Sequence, residues 1–309
     1  MLLPASPLQT QTNAATGQAL LQAGKPSEAR EAFEATLSAD PANADAQHGE
    51  VSASERLALD ARSTGQMDEA LRDLLRAQTF APKDPRLLYD LGILEDEMQL
   101  FRDADATLAT LEQLRPPGSD PQVLYAVARV KIDLGQLAAA EAKMLAYLKM
   151  QPADATAHYG LGRVYQLGFQ FDKARAEFQH SIELQPVQTE AYYQLGDIAL
   201  GQGAFDEAIA EFARTLTRDP KHGGALTGTG QVYFKQKRYN EAEEYLNRAV
   251  AAAPEYQAGH YYLGLTLARL GRQEASQREL DLATQLADVQ SKRERGRSQF
   301  NPQTTNPQY

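Results

Sequence analysis

The chain has 309 residues, 43% of them hydrophobic, with a mean hydropathy of −0.49 and no cysteine. The absence of cysteine excludes disulfides, thiolate nucleophiles and cysteine-ligated zinc. With a net charge of −10 and a pI of about 5.1, we predict no nucleic-acid partner, because such binding needs a concentrated basic face.

The N-terminal residues have no basic side chain before Lys25, and Pro4 interrupts their short apolar start, so they make a poor secretory signal. We predict that residues 1–9 are disordered. No apolar run reaches the roughly 18 residues that suggest a membrane span, so we predict none. Localisation is predicted to be cytoplasmic by default, and export through a signal upstream of the given start stays open.

Proline recurs along the chain at a nearly constant interval. The interval is 34 residues between Pro152, Pro186, Pro220 and Pro254, and again between Pro82 and Pro116. A period of this length predicts stacked supersecondary units, here called repeats. We expect them to fill residues 10–295, starting near residues 10, 51, 85, 121, 155, 189, 223 and 257, with a disordered tail over 296–309. Pro41 stands 41 residues before Pro82, and we expect the extra residues to lengthen a helix backward.

The fifth repeat shows the pattern of a helix–turn–helix. Leu161, Gly162 and Tyr165 share one face of a first helix, and Ala174, Phe178 and Ser181 share one face of a second. Gly168 marks the end of the first helix, and Pro186 ends the second. In the seventh repeat four glycines, at positions 223, 224, 228 and 230, predict a softer first helix.

These spacings resemble the tetratricopeptide repeat family, whose signature is an aromatic residue, then Leu-Gly, Tyr, Ala, Phe and Pro at fixed offsets. The sixth repeat fills these slots with Tyr192, Leu195, Gly196, Ala199, Ala208, Phe212 and Pro220. The resemblance covers about residues 10–290. It implies an all-α, right-handed superhelical solenoid of about eight helix pairs.

The resemblance also implies that first helices line a concave groove, where a ligand contacts the slots one and five residues beyond the aromatic slot. The nearer slot holds Tyr89, Tyr125, Tyr159, Tyr193 and Tyr261, and the farther slot holds Arg129, Arg163 and Asp197. Tyrosine and arginine are enriched at binding hot spots, so we predict these eight residues as partner contacts. The alternative is that tyrosine is common in this slot and the rings lean on the neighbouring helix.

The sequence therefore predicts a non-enzymatic scaffold that binds a protein or peptide partner. One alternative is an assembly subunit that uses its convex face or solenoid ends, and a remote one is an enzyme of unrecognised type. No nucleotide-binding motif occurs, and no two histidines have the i, i+4 spacing of a helical metal site, so we predict no cofactor. His158 and His260 fill aromatic slots and are interpreted as packing residues. Partner identity and oligomeric state stay open.

Overall fold

The structure is a computed structural model. It describes residues 7–114, 116 and 118–299, and the side chains of residues 14–114, 116 and 118–292. The described residues form sixteen α-helices and no β-strand, which confirms the all-α class. The chain divides into two compact units, Met1–Tyr147 and Leu148–Tyr309, here called the N-terminal and C-terminal units. The handedness and the repeat count stay predictions.

Helices of the N-terminal unit are α1 (Pro7–Gln22), α2 (Pro26–Ala39), α3 (Ala44–Ser63), α4 (Met67–Phe80), α5 (Pro85–Glu97), α6 (Phe101–Gln113), α7 (Pro121–Asp133) and most of α8 (Leu137–Met150). Helices of the C-terminal unit are α9 (Ala155–Leu167), α10 (Phe171–Leu184), α11 (Thr189–Gly201), α12 (Phe205–Arg218), α13 (Gly223–Lys235), α14 (Tyr239–Ala252), α15 (Gln257–Arg269) and α16 (Gln273–Gln299). Odd-numbered helices are first helices of their repeats and even-numbered ones are second helices.

Neighbouring helices pack in a repeating order. In the N-terminal unit α3 contacts α2 and α4, and also the first helices α1 and α5. In the C-terminal unit α13 contacts α12 and α14, and also the first helices α11 and α15. First helices therefore lie side by side within each unit, as the repeat pattern requires.

Proline and aspartate set the helix ends. Pro186 follows the end of α10 by two residues, because proline cannot continue a helix. Asp84 begins α5, where its Oδ1 accepts the main-chain N–H of Arg86 at 2.9 Å. Asp120 and Asp154 cap α7 and α9 in the same way. Each cap satisfies donors that the first turn of a helix leaves open.

In most repeats a glycine of the first helix receives a large side chain of the second. A Cβ atom at Gly162 would lie 2.7 Å from the ring of Phe178, and one at Gly196 would lie 2.7 Å from the ring of Phe212. The rings of Phe178 and Phe212 are fully buried. Only glycine permits so close an approach, which explains the small residues where the helices cross.

The ends of the array differ in detail from the sequence prediction. The first helix α3 has 20 residues, which confirms the predicted lengthening. Helix α1 includes residues 7–9, which the sequence assigned to a disordered segment, and α16 continues to Gln299, past the predicted end near residue 295. Extending an existing helix by a few residues needs no new nucleus. Residues 1–6 and 300–309 lie outside the described residues.

Candidate functional site

The eight predicted contact residues lie on first helices in both units. Tyr89 is on α5, Tyr125 and Arg129 on α7, Tyr159 and Arg163 on α9, Tyr193 and Asp197 on α11, and Tyr261 on α15. The first three belong to the N-terminal unit and the other five to the C-terminal unit. Tyr125 and Arg129 thus lie in one unit and Tyr159 and Arg163 in the other, and a partner contact through any of the eight stays a prediction.

The tyrosine rings lean on the second helix of their own repeat. Tyr159 lies 5.6 Å from Phe178 between ring centroids, and Tyr193 lies 6.0 Å from Phe212. In the N-terminal unit Tyr125 lies 5.3 Å from Tyr147. Tyr125, Tyr159 and Tyr193 therefore pack on a second helix, which is the arrangement that the alternative interpretation of this slot expected.

Tyr193 has close neighbours on α13 and at its start as well. Its centroid lies 4.9 Å from that of His222, and a Cβ at Gly224 would come within 2.9 Å of the ring. Burial first, and then the neighbouring Tyr256, raise the pKa of the Tyr193 phenol, so the hydroxyl stays neutral. Tyr261, in contrast, is 41% exposed, which leaves its ring accessible to a partner.

The two arginines of the farther slot differ in their partners. Arg129 Nη2 forms an ion pair with Asp96 at 2.7 Å, and the Asp96 carboxylate is almost fully buried. Arg163 has a buried Nε that lacks a hydrogen-bond partner among the described residues. Arg129 is therefore used inside its own unit, whereas Arg163 keeps hydrogen-bonding capacity.

Two carboxylates of α11 lie near Arg163. Glu190 accepts a hydrogen bond from His222 Nε2 at 3.0 Å, and this bond is the main cause that lowers the pKa of Glu190. Asp197 accepts one from Gln166 Nε2 at 3.2 Å. Burial raises the pKa of Asp197, and the positive charge of Arg163 opposes that shift.

A cavity of about 350 Å³ lies among the helices of the C-terminal unit. Its lining includes Gln166, Phe171, Asp197, Gln231, Lys235 and Tyr262, contributed by α9, α10, α11, α13 and α15. Glutamine, aspartate and lysine supply both donors and acceptors of hydrogen bonds. Of this set only Asp197 is among the eight predicted contact residues, because the cavity forms where several helices meet.

The histidines in aromatic slots form polar contacts that the slot pattern did not predict. His158 contacts Glu177 through Nδ1 at 2.7 Å and the Pro152 carbonyl oxygen through Nε2 at 3.1 Å. His260 makes the same two contacts with Glu279 and Pro254, at 2.7 and 3.0 Å. Each ring thus ties its first helix to its second helix and to the preceding turn, which supports a structural role.

Buried carboxyl groups are a feature of the N-terminal unit that sequence reasoning missed. Glu50 is fully buried, and burial, helped by the charge of Glu34, raises its pKa to about 7. Burial likewise raises the pKa of Glu95 to about 7. The only sequence signal for Glu50 is its place in the lengthened part of α3.

Charge is divided unequally between the units. Residues 1–147 contain 22 acidic and 13 basic side chains, a net charge of −9, and residues 148–309 contain 19 and 18, a net charge of −1. No described helix is both long and apolar enough to cross the bilayer. Over the same part of the chain, no three histidine or acidic side chains are placed to share a metal ion.

Comparisons with known proteins agree with this architecture. A structure of a tetratricopeptide repeat protein from Parabacteroides merdae ATCC 43184 aligns with a TM-score of 0.59 and 18% identity, over 84% of this chain and 99% of that one. Residues 41 to the end of MamA from Desulfovibrio magneticus RS-1 align with a TM-score of 0.51 and 22% identity, over 56% and 97% of the two chains. At these identities the likeness shows the fold alone. The comparison with curated proteins gave no match.

Family models give the sequence-level evidence. One model described as tetratricopeptide repeat matches residues 15–85, 125–168 and 165–223, more than half of the chain. A second model with the same description matches residues 199–265. The matches run through both units and follow the proline period, the helix pairs and the glycine contacts described above. The chain therefore belongs to the tetratricopeptide repeat family.

Proposed function

We propose that the chain is a protein-interaction scaffold that holds a peptide segment or a protein partner against its first helices. Repeats of this family generally serve as non-enzymatic interaction modules. In the C-terminal unit the first helices present an accessible Tyr261, a half-buried Tyr159 and an incompletely bonded Arg163. Aromatic rings and arginine supply much of the binding energy at protein interfaces.

The observation that carries the proposal is Arg163. A buried polar atom without a partner costs free energy, so such atoms call for an explanation. The guanidinium is planar and has five donors, which suit a carboxylate or the main-chain carbonyls of an extended segment. The Nε atom is itself buried, so a bound segment would supply acceptors to the other donors of this half-buried side chain.

The test is affinity capture from an extract of the native cell, followed by calorimetric titration of the captured partner. We expect Arg163→Ala to weaken binding by about 2 kcal/mol, or roughly 30-fold, as truncation of a hot spot does. Arg163→Ala is a cleaner probe than Tyr159→Ala, because the Tyr159 ring also packs on Phe178.

Glu244→Ala on a second helix is the matched control, because Glu244 is exposed. Glu243 is less suitable, since it is ion-paired with Arg272. Loss of binding in Glu244→Ala with full binding in Arg163→Ala would contradict the proposal. That result would favour an assembly subunit that uses its outer face.

A further inference from the structure

The turn between the two helices of a repeat contains a residue with left-handed backbone. These residues are Gly24, Gly65, Gln99, Gly135, Phe169, Gly203, Lys237 and Gly271 in the described turns. Phe169 has φ 57° and is 80% exposed. Glycine adopts this conformation without steric cost, whereas a bulky residue there is an outlier.

Packing of the Phe169 side chain within the chain does little to offset this backbone strain. Its ring is mostly in water, so it buries little apolar surface. Backbone outliers of this kind concentrate at ligand-binding positions, where another interaction offsets the strain. An exposed aromatic ring on strained backbone therefore points to a contact with a partner.

Phe169 also lies beside the cavity of the C-terminal unit. Its ring meets that of Phe171 edge to face, with centroids 6.1 Å apart, and Phe171 lines the cavity. Through Phe171 the aromatic pair adjoins a concave space of about 350 Å³ that has both polar and apolar lining groups. A short peptide segment can place one side chain on such a ring and a neighbouring one in the cavity.

Asp197 is the acidic group of the cavity. Its carboxylate accepts a neutral amide donor from Gln166, and the described residues place no cation within ion-pair distance of it. Burial raises the Asp197 pKa, and the charge of Arg163 opposes that rise without forming an ion pair. A carboxylate held in this way retains the capacity to bind a cation from a partner.

Two further lining groups bear on the charge of the ligand. The Gln231 side chain offers a carbonyl oxygen, and Tyr262 offers an aromatic ring. The chain already stacks arginine on tyrosine elsewhere, with Arg218 4.1 Å from the Tyr192 ring centroid. Lys235 opposes a cationic ligand, but its side chain is exposed and can keep its ammonium group in water.

We propose that Phe169 and this cavity form a docking site for a partner segment that carries an arginine next to a large apolar side chain. The guanidinium enters the cavity toward Asp197 and Gln231, and the apolar side chain packs on Phe169. Residues 148–309 carry a net charge of only −1, so the attraction for the guanidinium is local and comes from the Asp197 carboxylate. This inference rests on the proposed function and names the chemistry of the partner.

The experiment is selection of phage-displayed random twelve-residue peptides on the full chain. We expect the selected peptides to be enriched in arginine beside phenylalanine, leucine or another large apolar residue. The same selection on a Phe169→Gly, Asp197→Asn double variant should lose that enrichment. Enrichment in acidic residues, or equal enrichment on both proteins, would overturn the proposal, as would no enrichment.

Single variants titrated with the best selected peptide sharpen the test. Asp197→Asn should weaken binding at least tenfold, because the amide keeps the shape and removes the charge. Lys235→Ala should strengthen binding about threefold, since it removes a like charge from the cavity. Weaker binding by Lys235→Ala would show that the site takes an anion and would overturn the inference.

Phe169→Gly separates binding from stability. We expect it to weaken the peptide about tenfold while raising the melting temperature, because glycine relieves the left-handed strain. Gln99→Gly is the matched control at the same turn position of the N-terminal unit, and should raise the melting temperature without changing peptide affinity. Unchanged affinity in Phe169→Gly would contradict a docking role for the ring.

Failure of this inference is distinguishable from failure of the proposed function. If Arg163→Ala loses the native partner but no arginine-containing peptide is selected, the scaffold proposal stands and the docking site does not. If a selected arginine-containing peptide depends on Asp197 while Arg163→Ala retains the native partner, the docking site stands and the role of Arg163 fails.

Discussion

The two units share one helix pattern but join their first helices by different chemistry. In the N-terminal unit ion pairs connect neighbouring first helices: Arg86 to Glu55, Arg62 to Glu97 and Arg129 to Asp96, each at 2.7 Å. In the C-terminal unit neutral groups make several of these connections. The Gln194 amide donates to the Tyr159 hydroxyl at 3.4 Å, and the Tyr193 ring packs against Gly224.

This difference shows that the repeat pattern fixes the spacing of the helices but not the type of contact between neighbouring first helices. A net charge of −9 in residues 1–147 and buried carboxyl groups at Glu50 and Glu95 should make the N-terminal unit sensitive to pH and salt. The C-terminal unit depends more on rings against glycine, so it should be sensitive to side-chain volume.

The largest expected effect concerns Glu50. Its folded pKa of about 7 lies above the ordinary value of 4.5, so the folded state binds this proton more tightly than the unfolded chain does. The resulting stability is fully present below about pH 4.5 and is lost as the pH rises through about 7. The difference in the free energy of unfolding between Glu50→Gln and the wild type should therefore rise in favour of the variant by about 3 kcal/mol from pH 4 to pH 8.

Urea unfolding at several pH values measures this gain. The control is Glu244→Gln, whose exposed side chain should give a difference from the wild type that does not change with pH. A constant difference between Glu50→Gln and the wild type over the same range would refute the raised pKa of the Glu50 carboxyl group.

The second effect concerns volume in the C-terminal unit. A Cβ at Gly228 would overlap the buried ring of Phe212, so Gly228→Ala should destabilise the chain by about 2 kcal/mol. Gly201→Ala is the matched control, since no atom lies within 4 Å of its Cβ position. Equal unfolding midpoints for the two variants would show that the α13 glycines are not packing residues.

A smaller loss is expected at an N-terminal ion pair. Arg129→Ala leaves the buried Asp96 carboxylate without its cation, but the arginine is 45% exposed, so we expect about 1.5 kcal/mol. Arg214→Ala removes a more exposed partner from a pair with Glu211 and should cost less than about 0.5 kcal/mol. Equal losses would mean that burial of Asp96 is not what gives this pair its value.

The smallest effect is expected at a neutral connection of the C-terminal unit. Tyr159→Phe keeps the ring on Phe178 and removes the hydroxyl that accepts from Gln194. The loss should be about 0.5 kcal/mol, because a net hydrogen bond contributes little in a half-buried place. Chemical denaturation should give the same loss of unfolding free energy for Tyr159→Phe in low and high salt. The loss caused by Arg129→Ala, in contrast, should change with salt.

The sequence predicted the features that depend on spacing. The proline period predicted the helix pairs. The extra residues after Pro41 predicted that α3 is longer than the other first helices. In α16, Leu280, Ala283 and Leu286 recur at helical spacing, and the structure buries Ala283 and half-buries the two leucines. These features follow from local periodicity, which one sequence displays directly.

Features that depend on contacts between repeats were not predictable. The sequence marked Gly168 as the end of α9, and the left-handed residue is the next one, Phe169. The softness of α13 stays a prediction, but no local pattern showed that Gly228 and Gly230 lie against large side chains of the second helices α12 and α14. The burial of Glu50 depends on α2 and α4 together, which no local pattern reveals.

The histidine contacts of the fifth and eighth repeats are a set of hydrogen bonds that recurs unchanged from one repeat to another. His158 and His260 bind a glutamate 19 residues ahead and a carbonyl oxygen six residues behind. The sixth repeat has Tyr192 in the same position, near the Pro186 carbonyl, and Glu211 at the matching offset with a buried Oε2 that lacks a partner in the described structure. Both acceptors are therefore already present for a histidine introduced by Tyr192→His. The hydrogen bonds that join the two helices of one repeat can thus be exchanged without changing the sequence of the adjacent repeats.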